Sequence, residues 1–398
     1  MKHTKALSAF RDRVAHHATP KSVLVTTLLL ITFELLQGNL PAADALISTA
    51  LGLQKDYLDT RAAPNSSIAE DLDELAFMLV RLSMFCSYNP FFVSQNSTIR
   101  IHKCPPIDQV VPGDIETGVS CEVSSDSQAW MKTNVAHVLT LWNHFGTNCL
   151  VFVYNSARVK EPASMEPMQA QFLAHLARWR EILDRYLGVP ELDLVSRRSI
   201  KVALIQHKKY YVCVKSVLDR TWLTWDDFGP EYSEIINEAA EILPAPSELQ
   251  PLTTAPVVGF TFDVFLLPLL VFVICKCRIR PDERERALQL LETRLTWREG
   301  GWDARVLAEG LRAMVALEEA GSIMTPDGNS FIPPKSRYHW TSARWDEGTC
   351  RRKLIATCTR CIGDKFGQPV QVEIPVHLGR SLDMVECCQC YRCSSDST

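Results

Sequence analysis

Apolar residues recur at helical spacing along most of the chain, from its start to about Gly321. Leu7, Phe10 and Val14 fall on one face of a first helix. A second begins after Thr19-Pro20, a capping residue followed by proline at the first helical position, and stops at Gly38. Pro41 opens a third, through Ala45, Leu46 and Leu53 towards Tyr57, and the short Gly38-Asn39 connection makes these two an antiparallel hairpin. Ser67-Ile68-Ala69-Glu70 is a capping box, and Leu72, Leu75, Leu79 and Leu82 follow it at spacings of three, four and three. From Asn89 to Ser125 the pattern gives way to a Pro-, Ser- and Asp-containing stretch, a long irregular connection of the kind that carries partner or ligand contacts.

Helical spacing returns with Trp130, Val135, Val138, Leu139 and Trp142, then with Phe172, Leu176, Trp179, Leu183 and Tyr186 before Gly188 and Pro190. Aromatics in such a series belong to a core face. Further helices are expected over Leu192–Leu218, from about Pro230 to Leu243, and, after the Pro244–Pro256 loop, over Phe262–Cys275, Pro281–Leu295 and Asp303–Glu319. No fixed-period repeat is present.

Beyond Gly321 the pattern changes to short runs around Tyr338, Trp340 and Trp345, then Leu354-Ile355, then Val370, Val372 and Ile374. Asp346-Glu347-Gly348 and Gly363-Asp364 supply the turns between them. The expected fold is mainly α, an irregular multi-helix bundle or short α-solenoid with a small C-terminal β-meander. Residues 1–321 would form the helical body, 322–378 a β extension packed on it, and 379–398 a Cys-rich tail without stable structure.

Charge narrows the function. With a formal net charge of -4, the chain as a whole does not favour a phosphate backbone. Its short basic groups, His207-Lys208-Lys209, Lys276 to Arg280 and Arg351-Arg352-Lys353, read as solvated faces. The most apolar stretch, Phe260 to Cys277, is interrupted by Asp263 and Pro268 and falls short of the ~20 residues a bilayer needs. A buried helix kinked at Pro268 is expected there, and no membrane span. The N-terminal residues lack a signal-peptide cleavage site.

No phosphate-cradling glycine loop, dinucleotide fingerprint, Gly-x-Ser-x-Gly elbow or His-Glu-x-x-His helix occurs. The histidines fall mainly in helical patterns, among them His16, His17, His137, His144 and His175, where surface or capped positions are expected. Of fourteen cysteines, the first seven, Cys86, Cys104, Cys121, Cys149, Cys213, Cys275 and Cys277, are scattered as small hydrophobes of a reducing compartment. The metal-like constellation is Cys358-x-x-Cys361 with Cys390-x-x-Cys393, and with Cys387 and Cys388 as alternatives. It leaves two readings, a tetrahedral zinc thiolate site and a thiol-bearing disordered tail. No catalytic, cofactor-binding or metal residue is assigned, and no cofactor is expected.

Two groups of segments carry a family resemblance. One is the helix ending Thr32-Phe33-Glu34-Leu35-Leu36-Gln37-Gly38-Asn39, followed by Ala42 to Leu53. The other is Phe262-Asp263, Cys275-Lys276-Cys277-Arg278, Arg284 to Leu291 and Arg298-Glu299-Gly300-Gly301-Trp302-Asp303. Together they resemble the fungal-specific transcription-factor domain of binuclear zinc-cluster regulators. Asp303 is suited to capping, Arg278 and Arg284 to pairing, and Glu34 in its apolar helix requires a partner.

The resemblance implies transcriptional control in a fungal nucleus, of metabolic or secondary-metabolite genes. It implies a helical region engaged in dimer contacts or in contacts with other regulators and co-regulators. The family's DNA-reading module has six closely spaced cysteines, whereas the first cysteine here is Cys86, so direct DNA binding by that route is not expected. A non-functional regulator fragment and an unrecognised metabolic enzyme remain the alternatives.

Overall fold

The computed structural model describes residues 19–36, 42–43, 45–50, 52, 79, 125–157, 159–190, 192–243, 260–261, 266–295, 298–299, 302–345, 353–363 and 370–377. The chain divides into two compact units, Met1–His102 and Lys103–Thr398.

In the first unit, α1 (Pro20–Leu36) starts where Thr19 and Pro20 predict. The Thr19 hydroxyl accepts the Ser22 N–H at 3.3 Å, and the Ser22 hydroxyl returns a bond to the Thr19 carbonyl at 2.8 Å. Leu24, Thr27, Ile31 and Glu34 form the buried face, while Val25, Leu29 and Phe33 are exposed. Thr27 hides its polarity by donating to the Val23 carbonyl at 2.8 Å. Residues 45–50 are helical, with Ala43, Ile47 and Ala50 buried, and Leu79 is buried and helical. The rest of the capping-box helix, the first predicted helix and the Asn89–Ser124 stretch lie outside the described residues.

The second unit contains the aromatic core. Along α2 (Ser125–Ser156) the residues Val135, Val138, Trp142, Phe145, Cys149 and Phe152 make one continuous apolar face. It meets Phe172, Leu176, Trp179, Leu183 and Tyr186 of α3 (Glu166–Leu187). Trp142 stands edge-on to Trp179 at 5.5 Å, and Phe152 stacks on Phe172 at 4.7 Å, the arrangements that ring quadrupoles favour. Asp193 caps α4 (Leu194–Ser216) by accepting the Ser196 N–H at 2.9 Å. That helix packs on α2, α3 and α5 (Gly229–Ile242).

The basic group His207-Lys208-Lys209 is not a solvated face. His207 and Lys208 are buried, and Lys209 is half-buried with its ammonium over the Tyr210 ring. Lys208 turns its ammonium to Glu234 (2.7 Å) and Glu238 (2.6 Å) on α5, and an imidazole nitrogen of His207 bonds the Leu176 carbonyl at 2.8 Å. Partners on neighbouring helices replace the hydration each group gives up.

The apolar segment ahead of Cys277 also differs from expectation. Helix α6 (Leu267–Lys276) has Pro268 in its first turn, where a missing N–H costs nothing, so the proline starts the helix and does not kink it. Upstream, β1 (Phe260–Thr261) is extended. It pairs parallel with β2 (Arg298–Glu299), which turns antiparallel into β3 (Trp302–Asp303). Helices α7 (Pro281–Arg294) and α8 (Ala304–Glu319) follow, α8 lying on α7. Among the described residues no helix is long and apolar enough to cross a membrane.

The expected meander is formed by β6 (Tyr338–Trp345), β7 (Lys353–Arg360) and β8 (Gln371–His377), antiparallel in that order. Tyr338 faces Arg360 and Cys358 faces Val372, with a register shift between Trp340 and Ser342. The sheet rests on α8. A hairpin of β4 (Ile323–Met324) and β5 (Ser330–Phe331) precedes it, turning at Gly328 with φ 78°. The predicted Asp346-Glu347-Gly348 turn, Asp364 of the second predicted turn and residues 379–398 lie outside the described residues.

Candidate functional site

Helix α6 runs into the Lys-Cys-Arg step, whose two cations take different partners, the half-buried Lys276 the indoles of Trp222 and Trp225 and the buried Arg278 a carboxylate. Arg278 donates from Nε (3.0 Å) and Nη2 (2.8 Å) to Glu318 at the end of α8, and also to the Tyr338 carbonyl at 2.9 Å. Arg284 of α7 donates to the other oxygen of the same carboxylate and to the Ile274 carbonyl. The Tyr338 N–H completes the set, reaching Glu318 at 2.7 Å. One carboxylate thus ties α6, α7, α8 and the first strand of the sheet. Burial pushes its acidity down, but the two guanidiniums outweigh that and hold the Glu318 carboxyl below the ordinary range. The expected solvated face at Lys276–Arg280 is therefore corrected: only Ile279 and Arg280 are exposed.

A second fork lies beside it. Arg337, wholly buried, donates to the Ile332 carbonyl at 2.9 Å, to both oxygens of Asp226 and to the carbonyl of Trp222. Trp222 has φ 64°, a left-handed conformation that costs a bulky residue roughly 1–3 kcal/mol and persists only when its surroundings fix it. Asp219 sets the turn before it, accepting the N–H groups of Thr221 (2.8 Å) and Thr224 (2.9 Å).

This conformation presents the Trp222 indole to three neighbours. Trp225 stacks on it at 6.1 Å and 24°, and His339 of β6 lies parallel within 5° at 6.2 Å. The Lys276 ammonium sits 4.2 Å from both indole centroids, a cation–π contact of about 0.5–2 kcal/mol. The Cys361 sulfur is 3.9 Å from Nδ1 of His339. Burial depresses the Lys276 ammonium and brings the His339 pKa to about 4, with the Lys276 and Arg278 charges adding to the second shift, so the imidazole is neutral. Burial also raises the Cys361 thiol, which leaves it protonated and a poor nucleophile.

Of the tail cysteines, Cys358 is fully buried in β7 and pushed up to about 12 by burial, and Cys361 follows the strand. Cys387, Cys388, Cys390 and Cys393 lie outside the described residues. Among those described, no group of three or more His, Cys, Asp or Glu side chains is placed to hold a metal ion. Cys149, Cys213 and Cys277 are buried free thiols, as their scattering predicts. His137 is exposed, His144 and His175 are half-buried, and His16 and His17 lie outside the described residues.

Arg278 and Arg284 do form ion pairs, as their chemistry suits them to, but their shared partner Glu318 and the Trp222 cluster are not legible in the sequence. Glu318 reads in sequence as the end of an amphipathic helix, and Trp222-Leu223-Thr224-Trp225 as a loop between helices.

The fold defines a mainly α chain closed at its C-terminal side by a three-stranded antiparallel sheet. No family model, curated protein or solved structure matches it.

Proposed function

We propose that this chain is the helical regulatory region of a fungal transcription regulator. It acts in the nucleus on metabolic or secondary-metabolite genes through contacts with other regulators or co-regulators, and has no catalytic role. The observation that carries the reading is the convergence of Arg278 and Arg284 on Glu318. Both arginines belong to the segments on which the family resemblance rests, and both fix the order of helices without presenting a nucleophile or base. A buried ion group of this kind contributes more to register than to net stability. Residue patterns that order helices are what a contact scaffold requires.

The test is a pull-down from a fungal host with the tagged full chain, joined to a reporter assay on promoters of genes neighbouring its own. Recovery of a transcription regulator or co-regulator together with changed reporter output supports the reading. No such partner and no change in expression would sink it.

A further inference from the structure

Among the described residues, the cations around Trp222 outnumber the carboxylates that form ion pairs with them. Glu318 answers two guanidiniums, those of Arg278 and Arg284, and Asp226 answers Arg337 alone. Among the described residues Lys276 has no carboxylate within ion-pair distance; its contacts are the faces of Trp222 and Trp225. The buried Nη1 atoms of Arg278 and Arg284 have no acceptor among the described residues. Buried donors of this kind are ordinarily satisfied by water or by a ligand. Arg278 donates to the carbonyl of Tyr338 at 2.9 Å, one residue before the His339 that lies along Trp222 and within 3.9 Å of the Cys361 sulfur, while Lys276 sits over Trp222 itself.

Beside these cations the rings Trp225, Trp222 and His339 form a near-parallel series, 24° and then 5° apart. Trp222, Lys276 and His339 are half-buried and so reach solvent. A cationic ligand is disfavoured, because the Lys276 ammonium and the Arg278 guanidinium would repel it. An anion gains from the uncompensated charge, in a setting where solvent screens it less than at an open surface. A flat ring gains by extending the stack.

We propose that Lys276 and Arg278, together with the Trp225–Trp222–His339 series, bind a planar aromatic carboxylate. The carboxylate lies against the two cations, and the ring lies along the indoles. Arg337 and Asp226 serve as positioning residues that hold Trp222 in its left-handed conformation. The assignment is independent of the role in transcription.

The experiment is calorimetric titration of the full chain with 2-naphthoate, alongside cyclohexanecarboxylate, 2-naphthalenemethanol and inorganic phosphate. Saturable one-site binding of 2-naphthoate is expected, with each of the other three weaker by about tenfold or more. Lys276→Gln should lose about tenfold or more in affinity, and Lys276→Arg should recover most of it. Bound 2-naphthoate should also protect Lys276 of the wild-type chain from acylation by acetic anhydride, read by peptide mass spectrometry; this needs no variant to fold. The proposal is overturned by absence of saturable binding, by equal binding of phosphate or cyclohexanecarboxylate, by unchanged affinity in a folded Lys276→Gln chain, or by undiminished acylation.

Discussion

Trp340 of the terminal sheet lies against α8 where the helix has Gly310, so closely that a Cβ there would stand 1.8 Å from the indole ring. Glycine inside a helix costs roughly 1 kcal/mol relative to alanine, yet here it is what lets a sheet aromatic rest on helix backbone. With the Tyr338–Glu318 contact, it anchors β6 to α8 at two points.

Gly310→Ala should therefore destabilise the fold by about 1–3 kcal/mol or more, opposite in sign to the effect of alanine in an unobstructed helix. Urea melts of the wild type, the single variant and the Gly310→Ala/Trp340→Leu pair check this. The double variant should lose less than the sum of the two singles. Additive losses would show that the ring and the glycine do not meet.

Glu318→Leu should cost about 3–5 kcal/mol, because both guanidiniums remain buried without their carboxylate. Replacing Arg278, Arg284 and Glu318 together by apolar residues of similar volume should cost much less than the single change. Chemical denaturation of the two variants decides the matter. A single change as mild as a surface mutation would mean that solvent reaches the ion group.

Stability should fall on acidification below neutrality. Burial lowers the His207 pKa from its ordinary 6.5 to about 4, against the pull of the Leu176 carbonyl. The folded state thus binds fewer protons than the unfolded chain between these values. The contribution is fully present above pH 6.5 and is lost as pH falls towards about 4, on the order of 3 kcal/mol. His339 shifts the same way. The lowered Glu318 carboxyl adds a further loss only as pH drops through its own folded value. Thermal melts across this range should show a falling Tm, with a shallower slope in His207→Gln.

Asp193→Ala should remove the cap of α4 and lower the Tm, leaving the native far-ultraviolet spectrum intact at low temperature. Asp193→Asn should keep most of that stability, since the amide oxygen still accepts the Ser196 N–H. Equal losses in both variants would place the aspartate's effect in its charge.

Much of the fold was legible because its elements announce themselves locally. The Trp142 and Trp179 faces, the Thr19-Pro20 start and the three strands of the meander each follow from spacing and turn residues within a few positions. The signal for one missed hairpin was present but short: Asp327-Gly328 turns β4 into β5. Pro268 misled because a proline marks a kink and a helix start equally well until one knows which residues before it are helical.

The sequence by itself determined where most of the described helices lie, which of their faces are apolar and that a small sheet follows them. These depend on periodicity and backbone sterics acting over one or two turns. Only the tertiary structure decided that His207 and Lys208 are buried, that Arg278 and Arg284 share Glu318, and that Trp222 meets Lys276 and His339. Whether a charge faces water or a partner depends on groups tens of residues distant, and the pairing energy that offsets its desolvation exists only once those groups are packed together.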